Sequence, residues 1–254
     1  MGGVASPRWS VVIPAYNEAA RLPTYLKEVL AYFEGRDESY EVIVVDDGSR
    51  DGTADRVREV AAGRDGVTVH ALDRNRGKGH AVRAGMARAA GALRLMADAD
   101  GATPIAEVAR LEAAVRAGAD LAVGSRVLHD PSVIRRVRVH RKLSGHVFNF
   151  LVRRLGVASV VDTQCGFKLF RGPVAAALFP EVTTDGFGFD VELLLLAERR
   201  GYRVVEVPVN WADQPGSKVA VLREGPRMIY EVLAARRRLA RRPPAQQSPG
   251  DRGA

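Results

Sequence analysis

Two acidic side chains with a spacing of two residues are the sharpest chemical feature of the sequence. Asp98 and Asp100 follow the segment 92–97, which has the composition of a buried strand. Side chains two apart on an extended segment point the same way, so these carboxylates are expected to converge on one point. Oxygen ligands of this kind suit Mg²⁺ or Mn²⁺, which also bind substrate phosphates. The alternative is a pair of solvated loop acids.

Two further polar segments come directly after predicted strands. Asp46 and Asp47 follow the strand at 41–45, where a carboxylate can accept hydrogen bonds from a ribose or a base edge. The segment 75–80 places Lys78 among glycines at a helix start, where backbone N–H groups can hold an anion. It lacks the P-loop spacing, so a P-loop NTPase is disfavoured. Turn and cap chemistry is the alternative for both segments.

An alternation of strands and helices must position these segments. Short runs rich in β-branched residues predict strands at 9–13, 41–45, 67–72, 92–97 and 120–123, and apolar residues at helical spacing predict helices between them. This alternation implies an α/β sheet in which ligands bind beyond the carboxyl ends of parallel strands. In the second half we expect amphipathic or buried helices near 143–155, at 190–198 and at 226–239, and a strand at 203–209.

The composition fits one globular domain. The chain has 254 residues, of which 46% are hydrophobic and 27% are charged, and this length allows one full core. The single cysteine, Cys165, excludes an intrachain disulfide and a cysteine-rich zinc site, and we expect it to be a packed side chain. Because no apolar run is long enough to span a bilayer and residues 1–9 resemble no signal peptide, we expect a cytoplasmic protein.

The net charge of +8 is concentrated in two stretches. Residues 126–154 contain eight basic residues and one acidic residue, and residues 223–242 contain seven and two. Such stretches fit a nucleic-acid binder, an anionic membrane surface or a phosphorylated lipid. Few aromatic residues accompany them, which argues against single-stranded nucleic acid. The helix at 226–239 is expected either to lie in a membrane interface or to pack on the domain with exposed arginines.

Taken in order, the motifs resemble those of family 2 inverting glycosyltransferases of the GT-A fold. They are VVIPAYNE (11–18), VVDDGSRDGT (44–53), DRNRGKGHAVRAGM (73–86) and ADADGATP (97–104). Later segments are similar to polyprenyl-phosphate sugar transferases, and most similar to the dolichyl-phosphate β-glucosyltransferases, namely GSR (124–126), DTQCGFKLF (162–170), GFDVELL (188–194) and GSK (216–218). The resemblance covers about residues 9–235.

The resemblance implies one α/β domain with a mixed, mainly parallel, Rossmann-like sheet flanked by helices. The expected boundaries are an N-terminal tail at 1–8, the glycosyltransferase domain at 9–240 and a disordered tail at 241–254. Within the domain, residues 9–125 would form the half that binds the nucleotide-sugar. Residues 126–240 would form the half that binds the acceptor.

By position, the resemblance also implies a donor site. The residues that would bind the nucleotide-sugar are Pro14, Ala15, Tyr16, Glu18, Asp46, Asp47, Lys78, Asp98, Ala99 and Lys218. Asp100, together with Asp98, would ligate Mg²⁺ or Mn²⁺ on the diphosphate. A metal ion and a lysine stabilise the negative charge that a leaving nucleoside diphosphate accumulates in the transition state.

For a lipid-phosphate acceptor the nucleophile is a phosphate oxygen that is already deprotonated at pH 7. A strong general base is then dispensable, and the protein must supply cationic positioning. The resemblance assigns the acceptor phosphate to Arg126, Arg141, Ser144 and Lys168, with both arginines also contributing to catalysis beside Asp100. Asp190 lies where related transferases with hydroxyl acceptors place a base, and base, sugar-binding and structural roles stay open for it.

The implied activity is metal-dependent inverting transfer of a hexose, glucose from UDP-glucose, to polyprenyl or dolichyl phosphate. The partners would be a nucleotide-sugar, a polyprenyl phosphate and the cytoplasmic surface of a membrane, and no nucleic acid. The alternatives are a GDP-mannose-dependent mannosyltransferase, a transferase with a soluble hydroxyl acceptor, a basic nucleic-acid-binding module and a non-catalytic sugar-nucleotide sensor. The base, the sugar, the acceptor length, the metal and the oligomeric state are left open by the sequence.

Overall fold

The computed structural model describes residues 6–136, 160–212, 214 and 221–241, and nine strands lie within these ranges. In chain order the strands are β1 (Trp9–Ala15), β2 (Tyr40–Asp46), β3 (Val67–Ala71), β4 (Leu93–Ala97), β5 (Leu121–Ser125), β6 (Arg135–Arg136), β7 (Phe167–Arg171), β8 (Val204–Pro208) and β9 (Trp211–Ala212). Seven of them form one sheet in the order β3-β2-β1-β4-β7-β5-β8, and β6 pairs in parallel with β9.

The sheet is mixed and mainly parallel, as the resemblance predicted. β7 runs antiparallel to both β4 and β5, whereas the other pairs in the sheet are parallel. The sequence analysis did not predict β7. Its sequence, FKLFR, contains no β-branched residue, the residue type whose runs predicted most of the other strands.

Helices cover both faces of the sheet. In chain order they are α1 (Leu22–Glu34), α2 (Thr53–Ala61), α3 (Lys78–Met86), α4 (Val108–Arg116), α5 (Gly172–Leu178), α6 (Phe189–Arg199) and α7 (Val221–Arg241). Single 3-10 turns lie at Ile105–Glu107 and Phe179–Glu181. Helix α1 begins at Leu22, with Pro23 in its first turn, where the missing N–H of proline costs nothing.

The core lies in two layers because successive strand residues face opposite sides of the sheet. Val11 and Ile13 of β1 pack in one layer with α1 and α4, and Val12 packs in the other with α3, α6 and α7. On α1, Leu22, Leu26, Val29, Leu30 and Phe33 recur at helical spacing and are buried. The apolar periodicity of the sequence therefore corresponds to the buried face of this helix.

The carboxyl ends of three adjacent parallel strands meet at one edge of the sheet. Ala15, at the end of β1, pairs in register with Asp46 at the end of β2. On the other side of β1, β4 ends at Ala97, which faces Phe167 at the start of antiparallel β7. The loops that follow these strands therefore lie together, and residue 166 comes beside residue 98.

Several of the sequence predictions concern residues that the structure does not describe. The helix expected near 143–155 and the candidate residues Arg141, Ser144 and Lys218 lie outside the described residues. The boundaries proposed for the tails and for the two halves of the domain stay predictions. None of the helices in the described ranges combines the length and the hydropathy that a bilayer span requires.

Candidate active site

A cavity of about 500 Å³ lies at the carboxyl edge of the sheet. This volume is within the range typical of small-molecule sites, roughly 300–1,000 Å³. Nine of the residues expected in the donor and metal site line it, namely Pro14, Ala15, Tyr16, Glu18, Asp47, Lys78, Asp98, Ala99 and Asp100. The structure thus brings together residues from four separate segments, which lie at or after the ends of β1, β2, β3 and β4.

The acidic pair after β4 is held by the neighbouring strand. The backbone N–H of Asp98 donates to the carbonyl of Gly166, 3.0 Å away. A Cβ atom on Gly166 would lie 1.9 Å from Oδ2 of Asp98, so only glycine leaves room for this carboxylate. One oxygen of Asp100 accepts the N–H of Ala102 at 3.1 Å. Both acidic residues line the same cavity.

The electrostatics of the acidic pair favour a cation. Burial raises the pKa of the Asp100 carboxyl, and the negative charge of Asp98 raises it further. Burial and a neighbouring negative charge both disfavour the ionised form of a carboxyl. Lys78 neutralises part of this charge, because its Nζ lies 2.6 Å from Oδ1 of Asp98.

Lys78 is placed by the glycine-rich loop before α3. Gly77 has a φ of 108°, which side-chain-bearing residues rarely adopt, and its backbone lets α3 begin at Lys78. The carboxylate of Asp47 accepts the N–H groups of Arg76 and Gly77, each at 2.8 Å. Burial alone would lower the pKa of the Lys78 ammonium, but the negative charges of Asp98 and Asp190 outweigh it, and the pKa is raised.

The two adjacent aspartates after β2 have different roles. Asp46 accepts the N–H of Ser49 at 3.1 Å and the hydroxyl of the same residue, which is the turn chemistry weighed above. Asp46 does not appear among the described residues that line the cavity, whereas Asp47 does. Asp47 is also buried, and this burial raises its pKa.

The loop after β1 is fastened to the loop after β2. The N–H of Asn17 donates to Oγ of Ser49 at 2.8 Å, and the N–H of Glu18 donates to Oγ1 of Thr53 at 2.8 Å. The side chain of Glu18 pairs with Arg21, with its Oε2 2.7 Å from Nε. Because both loops hold each other, the segment 14–18 is preorganised as a wall of the cavity.

Arg126 occupies a different environment from the donor residues. Its guanidinium makes two hydrogen bonds to the buried carboxylate of Asp162, at 2.8 and 2.7 Å, and lies over the ring of Trp211. Burial opposes its charge, but Asp162 raises its pKa. Arg126 is not among the described residues that line the cavity, although a third of its side chain is exposed.

Lys168 and Asp190 form a buried ion pair. Nζ of Lys168 lies 2.5 Å from Oδ1 of Asp190 and 2.7 Å from the carbonyl of Cys165, and the lysine is fully buried. The structure therefore does not present Lys168 to an acceptor phosphate, because its charge is already neutralised inside the core. For Asp190 it supports the structural role among the three that the sequence left open.

Cys165 is a packed side chain, as expected. It is buried, and burial raises the pKa of its thiol to about 12. The thiolate needed for nucleophilic chemistry is therefore scarce at neutral pH.

Sequence reasoning missed about half of the cavity lining. The additional residues are Arg21, Asn75, Arg76, Gly77, Ala81, Gly186, Phe187, Arg227, Met228 and Glu231. Two signals point to some of them. Glycines flank Phe187 in the segment GFGFD at 186–190, and Glu231 is an acid within the otherwise basic segment 227–242.

The donor set at Asp98 and Asp100 fits a divalent cation. No cluster of three or more His, Cys, Asp or Glu side chains able to hold a metal occurs in the described ranges. Mg²⁺ does not require such a cluster, because it is commonly bound by one or two carboxylates, with substrate phosphates and water as the other ligands. A bound cation would offset the burial and the negative charge of Asp98, which together raise the pKa of Asp100.

The architecture defines the class first. A mainly parallel sheet with a cavity beyond its carboxyl edge belongs to the α/β proteins that bind their ligands at this position. Known structures share this fold. Glucosyl-3-phosphoglycerate synthase from Mycobacterium tuberculosis, in complex with Mn²⁺, UDP-glucose and phosphoglyceric acid, has a TM-score of 0.69 at 20% identity, covering 96% of this chain and 89% of that chain. Mannosyl-3-phosphoglycerate synthase from Rubrobacter xylanophilus has a TM-score of 0.67 at 19% identity, covering 92% and 74%.

The sequence comparisons identify the family. The profile of glycosyl transferase family 2 matches residues 10–179. The dolichyl-phosphate beta-glucosyltransferase of Drosophila melanogaster is 43% identical over 83% of this chain and 68% of that protein. The human and Saccharomyces cerevisiae proteins of the same name are 41% and 34% identical, over 83% and 89% of this chain and 69% and 73% of their own lengths. The chain belongs to glycosyl transferase family 2, which confirms the resemblance drawn from its motifs.

Proposed function

We propose that this chain transfers glucose from UDP-glucose to the phosphate of dolichol or another polyprenol and inverts the anomeric configuration. The observation that carries the proposal is the cavity in which Lys78, Asp98 and Asp100 meet at the carboxyl edge of the sheet. The relatives named dolichyl-phosphate beta-glucosyltransferase support this choice of sugar and acceptor.

The donor would lie in the cavity with its base against the 14–18 segment and its diphosphate near Lys78. Asp47 and Ala99 belong to the same lining, so both are within reach of a bound nucleotide. Asp46 would act through its turn rather than by direct contact, because its Oδ1 accepts both hydrogen bonds of Ser49 and Asp46 does not appear among the described residues that line the cavity. Lys218, outside the described residues, stays a proposed ligand of the diphosphate.

Asp98 and Asp100 would hold Mg²⁺ or Mn²⁺. When bound, the cation supplies positive charge that stabilises the leaving diphosphate. Lys78 contributes a fixed positive charge from the protein itself, and its raised pKa keeps the ammonium charged at neutral pH. Such preorganised charge is the largest catalytic contribution in many enzymes.

The reaction is a displacement in which an oxygen of the acceptor phosphate forms a bond to the anomeric carbon. The bond from that carbon to the oxygen of the UDP β-phosphate breaks, and UDP leaves with the electron pair. Because the acceptor phosphate is already ionised, the step requires no strong base. This agrees with the burial of Asp190 in its pair with Lys168.

The acceptor phosphate would be bound by arginine. About a third of the Arg126 side chain is exposed, and Asp162 fixes the orientation of its guanidinium. Arg141 and Ser144, outside the described residues, complete the proposed set. A guanidinium held in this way suits the bidentate recognition of a phosphate.

Contact with the surface of a membrane is a further part of the proposal. Met228, Val232 and Leu239 of α7 are buried against the domain, so the apolar stripe of this helix is already used. Its outer face exposes Arg236 and Arg237. Each basic residue near an anionic lipid surface contributes about 1 kcal/mol, so we infer a peripheral, electrostatic contact at the cytoplasmic face.

The decisive experiment offers the protein a choice of donors. It is incubated with Mn²⁺, a short polyprenyl phosphate and either UDP-glucose or GDP-mannose, and the lipid fraction is analysed for a sugar-phosphate lipid. We expect a β-linked glucolipid from UDP-glucose that is absent with the Asp100→Asn variant. Transfer from GDP-mannose alone, or no sugar-phosphate lipid from either donor, would refute the proposal.

Flotation with anionic vesicles tests the membrane contact. The wild-type protein should float at low salt and dissociate as salt is added, because the attraction is screened. The Arg236→Glu and Arg237→Glu double variant should remain in the soluble fraction. Wild-type protein that stays entirely soluble at low salt would contradict this part of the proposal.

A further inference from the structure

One loop connects the donor cavity to the C-terminal helix. Residues 183–188 lie between the turn at 179–181 and helix α6, and Gly186 and Phe187 of this loop line the cavity. On one side the loop is bound to α3, because the carbonyl of Asp185 accepts the N–H of Gly79 at 2.7 Å. The position of the loop and the position of the helix that begins at Lys78 are therefore linked.

On its other side the loop is held by Glu231 of α7. Oε2 of Glu231 accepts the N–H of Gly188 at 2.9 Å. A Cβ atom on Gly186 would lie 2.2 Å from Oε1 of Glu231, and one on Gly188 would lie 2.7 Å from its Cβ. The carboxylate can reach the backbone this closely because both loop residues are glycines.

The carboxylate of Glu231 is held in place at this contact. Its side chain is largely buried, and Nε of Arg227 lies 3.2 Å from Oε1. Both residues line the cavity beside Gly186 and Phe187. The carboxylate thus fixes the loop from the α7 side at the point where the loop forms the cavity wall.

We propose that Glu231 is a positioning residue for the nucleotide-sugar donor. By holding Gly186–Gly188, Glu231 fixes the position of Phe187 in the cavity wall. Through the hydrogen bond between Asp185 and Gly79 it also fixes the start of α3, which carries Lys78. The inference rests on the proposed function in one respect, namely that this cavity binds a nucleoside diphosphate.

The docking of α7 does not depend on Glu231. Met228, Val232, Ala235 and Leu239 pack against the domain, and Arg238 donates to Thr184 and Glu192 at 3.0 and 3.2 Å. Removal of the Glu231 carboxylate should therefore leave the helix in place and loosen the loop. The expected effect is on donor binding and not on folding.

The test titrates the full chain with UDP in the presence of Mn²⁺ by calorimetry. We expect Glu231→Ala to weaken UDP binding about tenfold, which is the scale of one lost hydrogen bond to a charged group, with little change in melting temperature or in the KM for acceptor. Glu231→Gln keeps an accepting oxygen and should restore most of the affinity. The matched control is Glu59→Ala, which removes an exposed acid paired with an arginine one turn away on α2.

A second variant perturbs the same contact from the loop. In Gly186→Ala the new methyl group would collide with the Glu231 carboxylate, so UDP binding should weaken by a similar factor. In the Glu231→Ala background the collision is gone, and Gly186→Ala should then add little. UDP affinity of Glu231→Ala within about twofold of the wild-type value would overturn the inference, as would full additivity of the two changes. If the wild-type protein binds GDP and not UDP, the donor proposal fails, and the same comparison made with GDP still decides the role of Glu231.

Discussion

Replacing Lys168 by methionine should destabilise the fold strongly, because it leaves the Asp190 carboxylate in the core without its counter-ion. The exposed fractions of the two side chains are 0% and 3%, and their charged atoms lie 2.5 Å apart. Breaking a buried pair by removing one partner costs about 3–5 kcal/mol, a large part of the roughly 5–15 kcal/mol that holds a domain folded. In a domain of this size the melting temperature should fall by roughly 6–20 °C.

The double variant Lys168→Met and Asp190→Leu separates the pair from its environment. Replacing both charges by apolar side chains of similar volume is often neutral, so the double variant should recover most of the lost stability. Urea denaturation followed by circular dichroism measures the single and the double variant against the wild-type protein. A Lys168→Met variant within about 1 kcal/mol of the wild-type stability would refute the assignment of a tight buried pair.

The same double variant tests whether Asp190 is a catalytic base. An essential general base contributes about 10²–10⁴-fold to the rate. If the ionised acceptor phosphate attacks without a general base, the turnover of the folded double variant should fall by less than about 10²-fold. Part of the fall in turnover would come from Lys78, because the double variant removes the Asp190 charge that stabilises its ammonium. A folded double variant with wild-type donor affinity and no turnover would restore the base hypothesis.

Three further changes have defined expectations. Asp100→Asn should abolish glucosyl transfer while leaving the melting temperature nearly unchanged, because the carboxylate lines a cavity and is bonded to one backbone N–H. Gly166→Ala places a methyl group against Asp98 and should reduce turnover by more than tenfold, about 1.4 kcal/mol. Gly35→Ala is the control, because a Cβ atom there comes no closer than 3.4 Å to another atom, and it should leave activity unchanged. Burial opposes the ionised form of Asp162, but its arginine partner outweighs burial and lowers the pKa of this carboxyl. The stability of the wild-type protein should therefore fall as the pH drops below about 4. An acid-titration series on Asp162→Asn should lack this part of the slope.

Each expectation has an outcome that contradicts it. Turnover by Asp100→Asn at the wild-type rate would remove this carboxylate from the catalytic site. Equal activity of Gly166→Ala and Gly35→Ala would show that Asp98 tolerates displacement. The sign of the pH effect follows from the lowered pKa, because the folded state then binds the proton less readily than the unfolded state. Identical acid sensitivity of Asp162→Asn and the wild-type protein would disprove it.

The donor half of the site was predictable because its residues follow consecutive parallel strands. The carboxyl ends of the parallel strands β1, β2, β3 and β4 lie at one edge whatever their loops contain. Acidic and glycine-containing loops after such strands therefore had to share a cavity. Asp47, Lys78 and the acidic pair after β4 line it for this reason.

Local sequence could not separate neighbours with similar chemistry. Asp46 and Asp47 are adjacent acids after the same strand, yet Asp46 closes its own turn while Asp47 holds the backbone of residues 76 and 77. Lys168 lies in a motif typical of phosphate-binding transferases, yet it is buried against Asp190. Which way a side chain points depends on the partners that the fold supplies from elsewhere in the chain.

The sequence by itself determined the family, the alternating architecture and the edge of the sheet at which the predicted site residues lie, because periodicity and motif order are local properties. Only the tertiary structure decided that β7 inserts antiparallel between β4 and β5 and brings Gly166 beside Asp98. It also decided that Glu231 reaches Gly188 across 43 positions of the chain. Such contacts join segments far apart in sequence, and their energies depend on burial and distance that no local pattern of residues contains.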